Sequence, residues 1–376
     1  MTVRIDREWP GQRTTSVFSF SWILPCAMAL ALSARLMAAD PVGKTFQPEG
    51  MWIWDNWFVR EGARWHAFYL ELPKAVGVER RWTGNDFYKH VGHAISEDLA
   101  TWRDAGPALV ALSGTWNDRH IATGSIIGHD GRWWMFFTGR GQKGDGVGLA
   151  MSDDLMTWKT APQPLFPLIG GGATESAAAF ESPWEGRNER WAGISDPFVY
   201  PEPIDGWFYL ALCARVLGAP IEESGCLALM RSRDLRGWEP AGITAWPHCF
   251  ERMETPQLWK RENRWYLSFG GVLNKQWVER NQERLPSIVR GKTSHRNYCY
   301  ALPDFRQPIS SGQMHFVDVS PANYILKVIP GEDGHDLAFF TVTEARGTCL
   351  SAPYRVAYLP DGGLRVEAAP PTEPKK

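Results

Sequence analysis

The chain has 376 residues, and its 40 basic against 42 acidic side chains leave a formal charge of −2 at pH 7. That balance excludes the basic surface expected of a nucleic-acid or membrane-surface partner. Its 44% hydrophobic and 22% charged content excludes disorder over most of the length, and its 20 Trp, 10 Tyr, 18 Phe, 36 Gly and 27 Pro favour short strands and many turns over long helices.

In chain order, the first element is apolar. Residues 17–32 carry no charge and follow Arg4, Arg7 and Arg13, the pattern of a secretory signal, and Ala29, Ala31, Ala38 and Ala39 offer small residues for cleavage. Residues 1–39 therefore read as a signal peptide or, left uncleaved, as an N-terminal anchor, because the run approaches spanning length. A secreted or periplasmic location is expected for the chain from residue 40 onward, with membrane association only if the segment stays attached.

From residue 40 the chain repeats. Ala94-Ile-Ser-Glu-Asp-Leu-Ala-Thr-Trp102, Ala150-Met-Ser-Asp-Asp-Leu-Met-Thr-Trp158 and Met230-Arg-Ser-Arg-Asp-Leu-Arg-Gly-Trp238 each read as a strand, a Ser-x-Asp-Leu turn and a Trp. A second repeat is an aromatic strand: Arg64-Trp-His-Ala-Phe-Tyr-Leu70, Arg132-Trp-Trp-Met-Phe-Phe137, Gly206-Trp-Phe-Tyr-Leu210, Arg264-Trp-Tyr-Leu-Ser-Phe269 and Asp336-Leu-Ala-Phe-Phe340. Successive copies start about 60 to 75 residues apart, room for a four-stranded antiparallel unit with variable loops. Five such units predict an all-β fold over residues 40–368, a five-bladed β-propeller of four-stranded antiparallel blades, with the repeated Trp residues filling the space between blades. Helical periodicity of useful length is absent after the N-terminal segment, which disfavours an α/β barrel. Residues 369–376, with three Pro and two terminal Lys, are expected to be a disordered tail.

Residues that recur at one repeat position are assigned to structure: Asp98, Asp154 and Asp234 to turns, and Trp102, Trp158 and Trp238 to packing. The six cysteines contain no C-x-x-C pair, so neither a zinc knuckle nor a thioredoxin-type motif is present. Cys213 and Cys226 lie near facing ends of two apolar segments and stand as one disulfide or as two buried thiols. The nine His have no metal-ligand spacing, and Gly141-Gln-Lys-Gly-Asp-Gly146 lacks the following helix that a phosphate cradle needs, so no metal or cofactor is expected.

Residues that precede the aromatic strands are the candidates for chemistry, because equivalent positions of different blades converge on one mouth of a propeller channel. Blade one offers Trp54-Asp55-Asn56-Trp57, blade two Thr123-Gly124-Ser125, blade three Ile194-Ser195-Asp196-Pro197 and blade four Arg252-Met253-Glu254-Thr255-Pro256. Asp55, Asp196 and Glu254 each stand ten or eleven residues before the next aromatic-strand Trp, which puts an acid on the same rung of three blades. Acids sharing a water-poor funnel repel, so at least one is expected to have a raised pKa and to stay protonated near neutrality. One protonated and one ionised carboxyl are what glycosidic cleavage requires. The structural alternatives are a turn cap for Asp55, a Pro-flanked turn for Asp196, and a surface ion pair of Glu254 with Arg252 or Arg261. Trp52, Trp57 and Trp116, like Trp54, are equally suited to stacking a sugar and to filling the core.

These motifs, together with Phe136-Phe137-Thr138-Gly139, resemble the blade-start motifs of five-bladed furanosidases. Those of blades one and two are most similar to levansucrases and to the invertase and inulinase family, within a superfamily that includes arabinanases and β-xylosidases. The resemblance covers roughly residues 50 to 345. It implies Asp55 as nucleophile, Asp196 as transition-state stabiliser, Glu254 as general acid/base, and Trp54 and Ser125 as sugar-binding residues. Fructoside-processing families usually place Arg before the Asp-Pro of blade three, where this chain has Ser195. A C-terminal β-sandwich of the invertase kind is not recognised.

The expected function is a monomeric, cofactor-free glycoside hydrolase or transglycosidase that acts by retention on β-fructosides such as sucrose, levan or inulin. Two alternatives stand beside it: an inverting hydrolase of arabinofuranosides or xylosides with Asp55 as general base, and a non-catalytic carbohydrate-binding propeller.

Overall fold

The computed structural model describes residues 46–76, 90–141, 144–167, 194–216, 218–309, 311–331, 333–344 and 347–368. The expected signal segment and tail lie outside the described residues.

The strands form five antiparallel blades, each hydrogen-bonded in chain order from the channel outward. Blade one is β1 (Met51–Glu61), β2 (Arg64–Pro73), β3 (His90–Ser96) and β4 (Arg103–Val110). Blade two is β5 (His120–His129), β6 (Arg132–Gly141) and β7 (Gly144–Ser152), with its outer strand split into β8 (Lys159–Thr160) and β9 (Phe166–Pro167). Blade three is β10 (Ser195–Val199), β11 (Phe208–Arg215), β12 (Gly225–Ser232) and β13 (Glu239–Ala245). Blade four is β14 (Arg252–Arg261), β15 (Arg264–Val272), β16 (Arg296–Leu302) and β17 (Met314–Phe316), with a short helix, α1 (Lys275–Arg280), between β15 and β16. Blade five is β18 (Asn323–Pro330), β19 (Asp336–Glu344), a third strand split into β20 (Gly347–Leu350) and β21 (Tyr354–Tyr358), and β22 (Leu364–Ala368). The five-bladed propeller expected from the repeats is the fold.

The repeated aromatic segments are the second strands, β2, β6, β11, β15 and β19. A neighbouring blade covers each of their faces, so the alternation of a half-exposed strand is lost. In β11, for instance, every residue from Phe208 to Arg215 is buried. Fully burying one such Leu or Phe stabilises by roughly 1.5–3 kcal/mol. Among the described residues the apolar core divides into five clusters, one at each blade interface.

The Ser-x-Asp-Leu repeats are turns. Asp98, Asp154 and Asp234 each accept, through Oδ1, the N–H groups two and three residues further on at 2.7–2.9 Å. Leu99, Leu155 and Leu235, at φ of 61°, 60° and 62°, are tucked inward and buried. The Trp that follows each turn meets the preceding blade edge-on. Trp102 packs on Phe339 of blade five, Trp158 on Phe68 of blade one and Trp238 on Phe136 of blade two, with interplanar angles of 83°, 89° and 85°. Edge-to-face packing of this kind adds about 0.5–1.5 kcal/mol beyond the area buried.

The ring closes between blades five and one. Phe46, ahead of β1, exchanges two backbone hydrogen bonds with Leu350 of β20 (3.0 and 2.9 Å), and Gln47 donates to the Thr348 carbonyl at 2.7 Å. Cys213 and Cys226 are free thiols. Cys213 pairs with Leu227, whereas Cys226 pairs with Ala214, so the pleat puts the two sulfurs on opposite faces of the β11–β12 ladder. Among the described residues no helix is long and apolar enough to cross a membrane.

Candidate active site

Every innermost strand breaks register at one height. The shifts fall between Trp54 and Trp57, Ala122 and Gly124, Ser195 and Phe198, Glu254 and Gln257, and Tyr324 and Lys327. A bulge releases a residue from the ladder and re-aims its side chain. Four of the five bulges hold a non-glycine residue in the left-handed region: Asp55 (φ 53°), Asp196 (φ 56°), Thr255 (φ 45°) and Ile325 (φ 60°). Such backbones cost on the order of 1–3 kcal/mol each and cluster at functional sites.

Asp55 and Asp196 occupy the same bulge position of blades one and three. Glu254 does not. Thr255 takes that position in blade four, and Glu254 stands one residue earlier, level with Trp54 and Ser195. The equal spacing to the next Trp hides this offset. The hairpins of blades one and four turn tightly between Glu61 and Arg64 and between Arg261 and Arg264, whereas that of blade three is longer.

A cavity of about 360 Å³ opens at this height, and Trp54, Asp55, Asp196 and Glu254 all line it. The acids are held from neighbouring blades. Thr123 Oγ1 donates to Asp55 Oδ2 at 2.6 Å, and the Asp55 N–H donates to Thr341 Oγ1 of blade five at 3.0 Å. The Asp196 N–H donates to Thr138 Oγ1 of blade two (2.9 Å), and its Oδ2 accepts the Thr255 N–H of blade four (2.9 Å). Glu254 accepts the Tyr324 hydroxyl of blade five at 2.6 Å on one oxygen and lies 3.4 Å from the Arg252 guanidinium on the other. Glu254 pairs opposite Gly270 on β15, and a Cβ there would fall on the Tyr324 hydroxyl, so this glycine clears the approach.

Burial, with Asp196 beside it, pushes the Asp55 carboxyl up to about 7, while the Thr123 hydroxyl pulls the other way. Burial and the nearby Glu254 push Asp196 up to about 6. The expected elevation falls on the two aspartates. Beneath them Lys327, 4% exposed, donates to the Thr255 carbonyl at 2.9 Å, and burial draws its ammonium down to about 8 against the pull of Asp55 and Asp196.

Ser125 is the expected site residue that does not reach the cavity. It is buried, and its Oγ accepts the Val199 N–H at 3.0 Å, pinning blade two to blade three. Trp116 fills the core, stacked on Phe137 with its Nε1 donating to the Ala161 carbonyl, in space left by Gly139 and Gly148. Sequence reasoning misses Thr123, Tyr324 and Lys327. Thr123 belongs to the blade-two motif, two residues from Ser125; the other two belong to blade five, whose innermost strand carries no carboxylate and so gives no signal. Arg252 pairs with Glu254 as the ion-pair alternative has it, but inside the cavity rather than on the surface. With Arg140 it supplies guanidinium groups to a site where Ser195 stands in place of Arg. Thr255 and Thr348 line the cavity, and their Oγ1 atoms are buried without a hydrogen-bond partner among the described residues. Among the described residues no group of three or more His, Cys, Asp or Glu is placed to hold a metal ion.

Residues 45–167 match the model of the glycosyl hydrolases family 32 N-terminal domain. The chain superposes on a GH32 β-fructofuranosidase from Bombyx mori with a TM-score of 0.59 and 15% identity, covering 86% of this chain and 65% of that one. It has the fold of the furanosidase propellers. Other propellers of this type include sucrose-6-phosphate hydrolase from Lactobacillus gasseri, at a TM-score of 0.57 and 16% identity over 84% of this chain and 62% of that one. A thermostable family-43 glycoside hydrolase gives 0.59 and 14% over 89% and 100%. The chain thus spans less than two thirds of the Bombyx mori and Lactobacillus gasseri enzymes. Comparison with curated protein sequences gives no match.

Proposed function

We propose that this protein is a retaining glycosidase of β-fructosides. The observation that carries the reading is the convergence of Asp55, Asp196 and Glu254, from three different blades, on one cavity. The family-32 match over residues 45–167, which contains Asp55 and Thr123, supports the fructoside class. In this reading Glu254 protonates the leaving oxygen while ionised Asp55 attacks the anomeric carbon, forming a glycosyl-enzyme ester. Glu254 then takes a proton from water as that water breaks the ester, and Asp55 leaves as carboxylate. Asp196, anchored by the Thr255 N–H, stabilises the positive charge that develops on the sugar ring. Arg252 and Tyr324 orient Glu254 through its two oxygens. Export to the periplasm or the medium is proposed with this activity, on the apolar segment at residues 17–32.

Purified protein offered sucrose, levan, inulin and arabinan is expected to release fructose from the first three, with the sugar first formed keeping its anomeric configuration by NMR. Glu254→Ala is expected to lower the rate at least a hundredfold. Release from none of these donors defeats the proposal.

Two observations favour a second reading, inverting hydrolysis of an arabinofuranoside or xyloside. An Asp55 carboxyl near 7 is suited to a general base, and the family-43 protein is matched over its whole length. Release from arabinan alone, with inversion, selects it.

A further inference from the structure

A second cavity, of about 650 Å³, opens on the same end of the ring. Four segments form its walls: Glu223 between β11 and β12, His248 between β13 and β14, Trp277, Glu283, Arg284 and Arg290 in the excursion from β15 to β16, and Ser311 and Gly312 ahead of β17. The ladders fix the height of the first three. Cys213, near the end of β11, pairs with Ser195 at the start of β10, and Val272, the end of β15, pairs with Arg252 at the start of β14.

The excursion touches both cavities. His295, at its far end, lines the carboxylate cavity and sits edge-on to the Tyr324 ring (5.2 Å, 75°), while Arg290 lines the groove. Five residues separate them, at most about 18 Å of chain. His248 is likewise four residues, at most about 14 Å, from Arg252.

The walls select the ligand. Arg284 is paired with Glu223 at 3.6 Å, and Arg290 is turned onto the Leu285 and Glu283 carbonyls at 2.9 and 3.4 Å. Two arginines balanced by two glutamates give no net field to gather an anion. The half-buried Trp277 remains, its backbone N–H donating to Asn274 Oδ1 at 3.0 Å, amid donors and acceptors. An indole flanked by hydrogen-bonding side chains suits a neutral polyhydroxylated chain.

Glu254, as the proposed acid, faces the leaving oxygen, so the departing portion of the substrate runs toward blade four. We propose that the groove between blades three and four binds distal, neutral sugar units of an oligosaccharide or glycan on the leaving-group side. This rests on the glycosidase reading.

The test compares kcat/KM for sucrose with that for long-chain inulin, and for short with long arabinan oligosaccharides, in the wild type and in Trp277→Ala. The long-to-short ratio is expected to fall roughly tenfold in the variant, through KM. An unchanged ratio overturns the proposal. Arg284→Ala serves in the same way if Trp277→Ala does not fold. Should the wild type cleave no donor, the glycosidase reading fails alone, and calorimetric titration with the long chains decides the groove. Binding by the wild type that weakens in the variant supports it; no binding, or equal binding, overturns it.

Discussion

Asp55 is held between opposing influences: burial and a neighbouring acid raise its carboxyl to about 7, and the 2.6 Å bond from Thr123 lowers it. In its proposed role as nucleophile Asp55 must be ionised, so kcat/KM is expected to fall as the pH drops below about 7. Thr123→Val removes the donor that favours the ionised form, so the acid limb should move to higher pH; a folded variant with an unmoved limb contradicts this account. Gly270→Ala should push Tyr324 away from Glu254 and cut kcat more than tenfold while KM changes little, since the acid loses its orientation rather than the sugar its contacts. The acids are legible in the sequence because they stand at nearly equal distances before the aromatic strands of three blades. Thr123 and Ser125 are confused for a physical reason. In a regular strand residues two apart share a face, but the break at Ala122/Gly124 turns Thr123 to the channel and Ser125 to the next blade.

Turns and edge-packed indoles form a repeated unit, and that unit is why the fold can be read from the chain. Ser-x-Asp-Leu-x-x-Trp encodes a local hydrogen-bond pattern, so it survives in the sequence wherever the turn survives in space. Asp234→Ala, which strips the Arg236 and Gly237 N–H groups of their acceptor at an exposed turn, is expected to cost about 1 kcal/mol in denaturant unfolding and to leave activity intact. Blade four shows where such legibility ends. Glu254 and Asp196 have the same count to the next Trp, yet hairpins of different length put them one place apart, and a count along the chain carries no information about ladder register. Lys327 is opaque for a related reason. A lysine in a strand reads as solvent-facing, and only the closed ring reveals that it points inward toward two buried aspartates.

At the scale of the whole ring, the seam between blades five and one carries part of the geometry of the carboxylate cavity. The Asp55 N–H rests on Thr341 of β19, so a loosened seam reaches the proposed nucleophile directly. A chain beginning at residue 49 should melt several degrees below one beginning at residue 40 and lose activity with it, because it lacks the Phe46 and Gln47 bonds to β20. Equal melting temperatures would assign closure to the apolar interface of those two blades alone.

This latch sets a limit on maturation. A peptidase that trims the N-terminus at any point up to residue 45 leaves the clasp whole, whereas a cut a few residues further along unzips the last blade from the first. Processing of the proposed precursor and competence of its proposed nucleophile are thereby tied to the same short stretch of backbone.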